Sequence, residues 1–193
     1  MMALPTASAP APRRQVFVGT AVAAAGGVAL LGGMLAMWLR FRDEAINGAD
    51  GRWFPEGVSV PMVAANIMLI ALLPLCIFAQ WAVYSAKRDD KVHTALALGL
   101  VGLMGLAFIN AQAYIYSQMR LPADGGTFNA MFYALTGAMT ALAIIGVVFC
   151  AVTAFRYLGG RTTDRELVSA HALYWYVLSA GFAALWFVVY VTK

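Results

Sequence analysis

The sequence predicts an all-α, polytopic membrane protein of five transmembrane helices, and three observations predict it. Only 11% of its 193 residues are charged, where a soluble domain of this size carries about 25%. Hydrophobic residues make up 62% of the chain and the mean hydropathy is +0.76. The apolar residues also fall in five blocks, about 16–39, 61–86, 92–117, 128–156 and 168–191. Each block is long enough to cross a hydrocarbon core of about 30 Å, which takes about 20 helical residues. The segments between them are too short and too polar to form a separate water-soluble domain. The expected organisation is a disordered cytoplasmic tail over 1–15 and one transmembrane domain over 16–193.

The tail opens with "MMALPTASAPAP", whose Ala, Pro and Ser cannot bury enough apolar surface to fold. "RRQVF" then resembles a twin-arginine export signal, but the apolar run continues through "GGMLAMWL" into "RFRDEA". A retained first helix flanked by positive charge fits better than a short cleaved signal. The first loop, Arg40 to Val60, holds turn residues and Trp53, placed as an interfacial aromatic. Pro61 opens the second helix, and Pro74 inside it predicts a kink. "KRDDK" is a tight connection, so the helices on either side of it should be antiparallel neighbours. "RLPADGG" makes the third connection. "GGRTTDRE" makes the fourth, with Thr163 or Asp164 as the helix cap. Tyr190, near the end of the fifth helix, reads as an aromatic-belt residue.

Charge placement orients the chain. Arg13, Arg14, Lys87, Arg88, Lys91, Arg156, Arg161 and Arg165 fall on one side, against Arg40, Arg42, Arg52, Arg120 and Lys193 on the other. Cytoplasmic loops carry the excess of Lys and Arg, so the N-terminus is expected in the cytoplasm and the C-terminus outside. The net charge of +4 sits in these loops with no basic stripe interleaved with aromatics, which argues against a nucleic-acid partner.

Ionisable groups within a membrane are functional candidates by default. The first, second and fourth spans carry none, which leaves no proton relay, ion pathway or acid–base pair there. Cys76 and Cys150 have no metal-type neighbours and read as small polarisable core residues. His93 and His171 each fall near the start of a helix and read as interfacial. As a pair they could ligate a b-type haem, which makes a b-haem membrane anchor one alternative. The polar groups at depth are Asn66, Gln80, Asn110, Gln112, Thr136, Thr140 and Ser179. Such groups bond helices together, at about 1 kcal/mol each. The stretch "FINAQAYIY" would line a channel if the chain were a small transporter. Glycines at 26, 27, 32, 33, 99, 102 and 105 let helix backbones approach closely in lipid.

Taken in order, several short motifs resemble subunit III of the haem–copper (cytochrome c) oxidases, in a divergent, short five-helix bacterial form. "GGMLAMWLR" looks like the end of that family's corresponding helix, and "VPMVAANI" keeps Pro61 and Asn66. "GLAFINAQAYIY" keeps Gly105, Phe108, Gln112 and Tyr116. "FYALTGAMTALAIIG" keeps Thr136, Gly137, Ile144, Ile145 and Gly146, with Met139 and Leu142 where the family has histidines. "YWYVLSAGFAALWFVVY" keeps Tyr174, Trp175 and Tyr190, with Tyr176 and Ser179 replacing a histidine and an aspartate. The family's intramembrane glutamate falls at about Gly27.

The resemblance implies a V-shaped two-plus-three bundle, the first two helices diverging from the last three around lipid. It implies a non-catalytic subunit that binds no cofactor itself. That subunit would stabilise a catalytic subunit I-like chain carrying haem and copper and would contact membrane phospholipid. The setting would be aerobic electron transport in a bacterial inner (plasma) membrane. An accessory protein of a nitric oxide reductase is the alternative within the same resemblance. No catalytic or metal residue is expected; structural, lipid or partner contacts are assigned to Asn66, Gln112, Tyr116, Thr136, Gly137, Gly146, Tyr174 and Trp175.

Overall fold

A computed structural model describes residues 14–48, 51–160 and 165–192. It contains α1 (Gln15–Asn47), α2 (Met62–Lys87), α3 (Lys91–Met119), α4 (Thr127–Leu158) and α5 (Arg165–Leu185), the last running on as a π-helical segment, Trp186–Val191. No strand occurs among the described residues. All five helices are long and apolar enough to cross a membrane, so the chain is an all-α, multi-pass membrane protein. The expected disorder of the tail over 1–12 and the cap at Thr163 or Asp164 lie outside the described residues.

Local chemistry sets the helix ends. Asp90 caps α3 by accepting the His93 backbone N–H at 3.1 Å, which satisfies one of the orphan donors of the first turn. At its other end, Arg120 adopts a left-handed conformation and donates its N–H to the Tyr116 carbonyl. The next connection folds back on α4: Asn129 Nδ2 donates to Pro122 O at 2.9 Å and Tyr133 Oη to Leu121 O at 2.8 Å. Gly126 precedes α4 at φ +113° and Gly160 follows it at φ +94°, conformations that glycine adopts without strain. α2 passes through Pro74 as one continuous helix.

α1 continues well past the end of its apolar run. Arg40 Nε donates to Glu44 at 2.8 Å and Asn47 Nδ2 to Asp43 at 2.9 Å, both one turn apart. These i,i+4 pairs carry the helix through a polar segment. Arg42 Nη2 also reaches Thr192 O at 2.8 Å, tying this extension to the end of the chain.

The helix pairing differs from the two-plus-three division. α2 packs along α3 and α5, whereas α1 packs on α5 and α4. The physical reason is the connection over 88–90: a turn this short makes α2 and α3 neighbours. The first two helices therefore do not separate as a pair from the rest. α5 touches α1, α2 and α4, and α3 closes the bundle between α2 and α4.

At the end of the bundle opposite the N-terminus, an aromatic cluster holds the first loop. Trp38 of α1 meets Trp53 edge-on at 5.1 Å, and Phe128 of α4 lies 5.3 Å from Trp38, 5.4 Å from Trp53 and 5.2 Å from Phe54. Edge-to-face pairs of this kind contribute about 0.5–1.5 kcal/mol each. Trp53, expected at the interface, is buried here because the loop folds its ring onto α1 and α4.

Candidate functional site

The candidate residues resolve into three contacts between helices. The first is built on Trp175. Its indole is fully buried on α5 and lies against two glycines of neighbouring helices. A Cβ at Gly146 of α4 would come within 2.9 Å of Trp175 Cζ2 and 3.0 Å of Tyr174 Cε1. One at Gly105 of α3 would come within 2.9 Å of Trp175 Cη2 and 2.7 Å of Val147 Cγ2. The two glycines let α3 and α4 close on the indole, the device that helix packing in lipid favours. Tyr174, next in sequence, donates its Oη–H to the Leu142 carbonyl of α4 at 2.7 Å.

Trp175 Nε1 donates to His171 Nε2 at 3.0 Å, one turn back along α5. Indole nitrogen is only a donor, so Nε2 of His171 must accept and its ring proton resides on Nδ1. Nδ1 has no hydrogen-bond partner among the described residues. Phe149 packs against the imidazole at 5.7 Å, nearly perpendicular. This corrects the interfacial reading of His171: α5 begins at Arg165, which carries His171 a turn and a half into the bundle, where it is fully buried. His93 remains exposed, its Nδ1 2.6 Å from Asp90 Oδ2 and its ring facing Trp81. The two histidines thus have separate neighbours, Asp90 and Trp81 for His93 and Trp175 and Phe149 for His171.

The second contact joins α3 to α4. Tyr116 Oη lies 2.8 Å from Thr136 Oγ1, and Thr136 Oγ1 donates to Phe132 O at 2.6 Å. A hydroxyl has one proton, so Tyr116 is the donor to Thr136. Gly137 stands beside them with space to spare: the nearest atom to a Cβ there is Tyr116 Oη at 4.0 Å.

The third fastens the π-helical segment. Tyr190 Oη lies 3.3 Å from Gln112 Oε1 on α3, and Trp186 Nε1 donates to Asn66 Oδ1 on α2 at 3.1 Å. Gln112 is 2% exposed, enclosed between α3 and the π-helical segment. Tyr190 is fully buried, contrary to the aromatic-belt reading, because the widened π-helical turns direct it at Gln112. Asn110 faces outward on α3.

The contacts assigned from the sequence did not include His171, Gly105 or Tyr190, which were read as an interfacial histidine, a packing glycine and a belt aromatic. The i,i+4 spacing of His171 and Trp175 was the available signal for the buried pair. Cys150 donates weakly to Leu98 O at 3.2 Å and Cys76 to Ser179 Oγ at 3.3 Å, so both cysteines also sit at helix contacts. No three His, Cys, Asp or Glu side chains converge as a metal-holding group among the described residues.

These features define a class first: a multi-pass helical membrane protein with polar contacts between its own helices. The sequence model for "Cytochrome c oxidase subunit III" matches residues 27–193, and the chain belongs to that family. It is 24% identical over 180 residues to cytochrome c oxidase subunit 3 of Corynebacterium diphtheriae, covering 91% of this chain and 87% of that one. Over 150 residues it is 28% identical to a probable cytochrome c oxidase subunit 3 of Rickettsia bellii, covering 74% and 53%. The bovine subunit 3 is 26% identical over 132 residues, covering 65% and 49%. The chain thus spans most of the corynebacterial relative and about half the length of the other two.

Proposed function

We propose that this chain is a non-catalytic accessory subunit of a respiratory haem–copper terminal oxidase. In this reading it packs on the catalytic subunit, which carries the haem and copper, stabilises it, and holds phospholipid against its helices. It works in a bacterial plasma membrane with its N-terminus in the cytoplasm, as the Lys and Arg placement indicates. One observation carries the reading. Four buried or half-buried polar contacts bond one helix to another or to their own helix (Tyr116 to Thr136, Tyr190 to Gln112, Tyr174 to the Leu142 carbonyl, Trp175 to His171). Groups so engaged hold a framework together and are not poised for substrate.

The test is to prepare the oxidase with and without this chain and follow the haem absorption spectrum of the catalytic subunit during heating. An unchanged starting spectrum with a markedly shorter thermal half-life in the depleted complex supports the accessory role. A spectrum that loses a haem when the chain is removed contradicts it.

A further inference from the structure

α2 turns one continuous face away from α3 and α5, against which its buried residues pack. Along that outer face Asn66, Leu73 and Gln80 recur every seven residues, alternating with Ile70, Ile77 and Tyr84. Steps of four and three make this the a/d seam of a coiled coil, with Asn66, Leu73 and Gln80 at a. Leu73 is 67% exposed, Ile77 66%, Ile70 62% and Tyr84 51%, and both amides are exposed as well. α2 stays continuous through Pro74, which lies beside the seam. Lys87, the next a position, lies at the membrane surface, where its long stem turns the charge to water.

The two amides are only half engaged. Trp186 Nε1 donates to Asn66 Oδ1 at 3.1 Å, and Tyr176 Oη donates to Gln80 Oε1 at 2.7 Å. Each bond turns the amide oxygen toward α5 and leaves the NH2 group without a partner among the described residues. Each oxygen can still accept a second bond. Two heptads set the amides about 21 Å apart along the helix, within a hydrocarbon core of about 30 Å. No water is present there to bond a free N–H, so an uncovered seam is costly.

We propose that this seam is where a second copy of the chain docks, the two α2 helices forming a parallel, two-fold pair. Every copy inserts in the same direction, so each residue of the seam meets its own counterpart. Asn66 then faces Asn66 and Gln80 faces Gln80. The partial positive N–H edge of one amide meets the partial negative oxygen of the other, in both directions. Leu73 packs on Leu73 between these two layers. A second copy thus carries every group that the seam lacks. An acyl chain offers no acceptor at either level, and an unrelated helix would need acceptors at the same two-heptad interval. The pairing goes beyond the accessory-subunit reading and does not depend on it; in an oxidase it joins two complexes.

The probe is photocrosslinking of the full chain in its native membranes. The crosslinker is Leu73→p-benzoylphenylalanine, with Leu103→p-benzoylphenylalanine on α3, at a residue 64% exposed, as the control off the seam. Leu73 should give an adduct of twice this chain's mass that contains its peptides alone, and Leu103 should give none. Adding Asn66→Leu/Gln80→Leu should lower the adduct about five-fold per amide layer, about 25-fold in all, at expression levels where it is a minor fraction. Ile70→Trp, which touches neither amide, should abolish it by holding the helices apart, and it serves if the double variant does not insert. An adduct from Leu73 no stronger than from Leu103, or one unchanged in these variants, overturns the proposal. So does an adduct holding another chain's peptides, which marks a different protein on this face, or one with lipid alone. Those results leave the accessory-subunit reading standing, because it is tested by the haem spectrum of the depleted complex.

Discussion

At Gly146 a single missing methyl decides whether α4 can meet Trp175. The contrast with Gly137 is direct, because a Cβ there has its nearest atom at 4.0 Å while one at Gly146 meets the indole at 2.9 Å. Both alanine variants gain about the same helix propensity, up to about 1 kcal/mol. Only Gly146→Ala overpacks, which costs about 1–3 kcal/mol. Gly146→Ala should therefore be less stable than Gly137→Ala by about that amount in reversible unfolding from mixed micelles. Equal stabilities would show that the indole is not clamped. A second residue-scale effect belongs to Asp90. The His93 backbone N–H, followed by the His93 ring, holds its carboxyl below the usual carboxylate range. A lowered folded pKa means that this stabilisation is present above about pH 4, the unfolded value, and is lost as pH falls through the folded pKa. Asp90→Asn keeps an acceptor but does not titrate, so its unfolding midpoint should fall less than wild type's between about pH 5 and pH 2. Tyr116, Thr136, Tyr174 and Trp175, candidate contacts in the sequence, lie between helices in the structure. The sequence reading misplaced His171, because charged loop residues nearby suggested an interface and outweighed the i,i+4 spacing to Trp175.

Among the elements, α1 shows how far a helix can outrun its hydropathy. "RFRDEAIN" reads as loop by composition, yet the Arg40–Glu44 and Asp43–Asn47 bonds make it helix, and such pairs are legible only once the register is assumed. At its other end, α1 is held by Glu166, which spans from α5 to the Phe17 amide. Glu166→Ala removes that acceptor, worth about 1 kcal/mol, and should speed hydrogen exchange of the Phe17 amide about five-fold. Glu166→Gln retains a side-chain oxygen and should stay near wild type. If alanine and glutamine behave alike, the bond is not what fixes the start of α1. Helix pairing was the element-scale property that sequence conveyed least. α3 and α4 are apolar on all sides, so no stripe marks which face meets which neighbour. The short connection between α2 and α3 did foretell their pairing, and it outweighed the division implied by family resemblance.

For the molecule as a whole, the five spans were plain from the sequence because a bilayer demands long apolar segments and leaves few alternatives. The family was legible as well, through short motifs that the structure places at contacts between helices. What could not be read was the third dimension of those contacts: that Gly105 and Gly146 face one indole, or that Tyr190 turns inward to Gln112. The outer surface of the bundle exposes many large apolar side chains, and several of its inner polar groups bond its own helices together. The central claim that follows is that this chain works as part of a larger complex. The most direct measurement is purification of the affinity-tagged chain from its native membranes, with the optical spectrum and subunit composition of the product. The expected result is co-purification with a larger, haem-bearing catalytic chain that gives the preparation its absorption bands. A stable, colourless protein with no partner chain would contradict it.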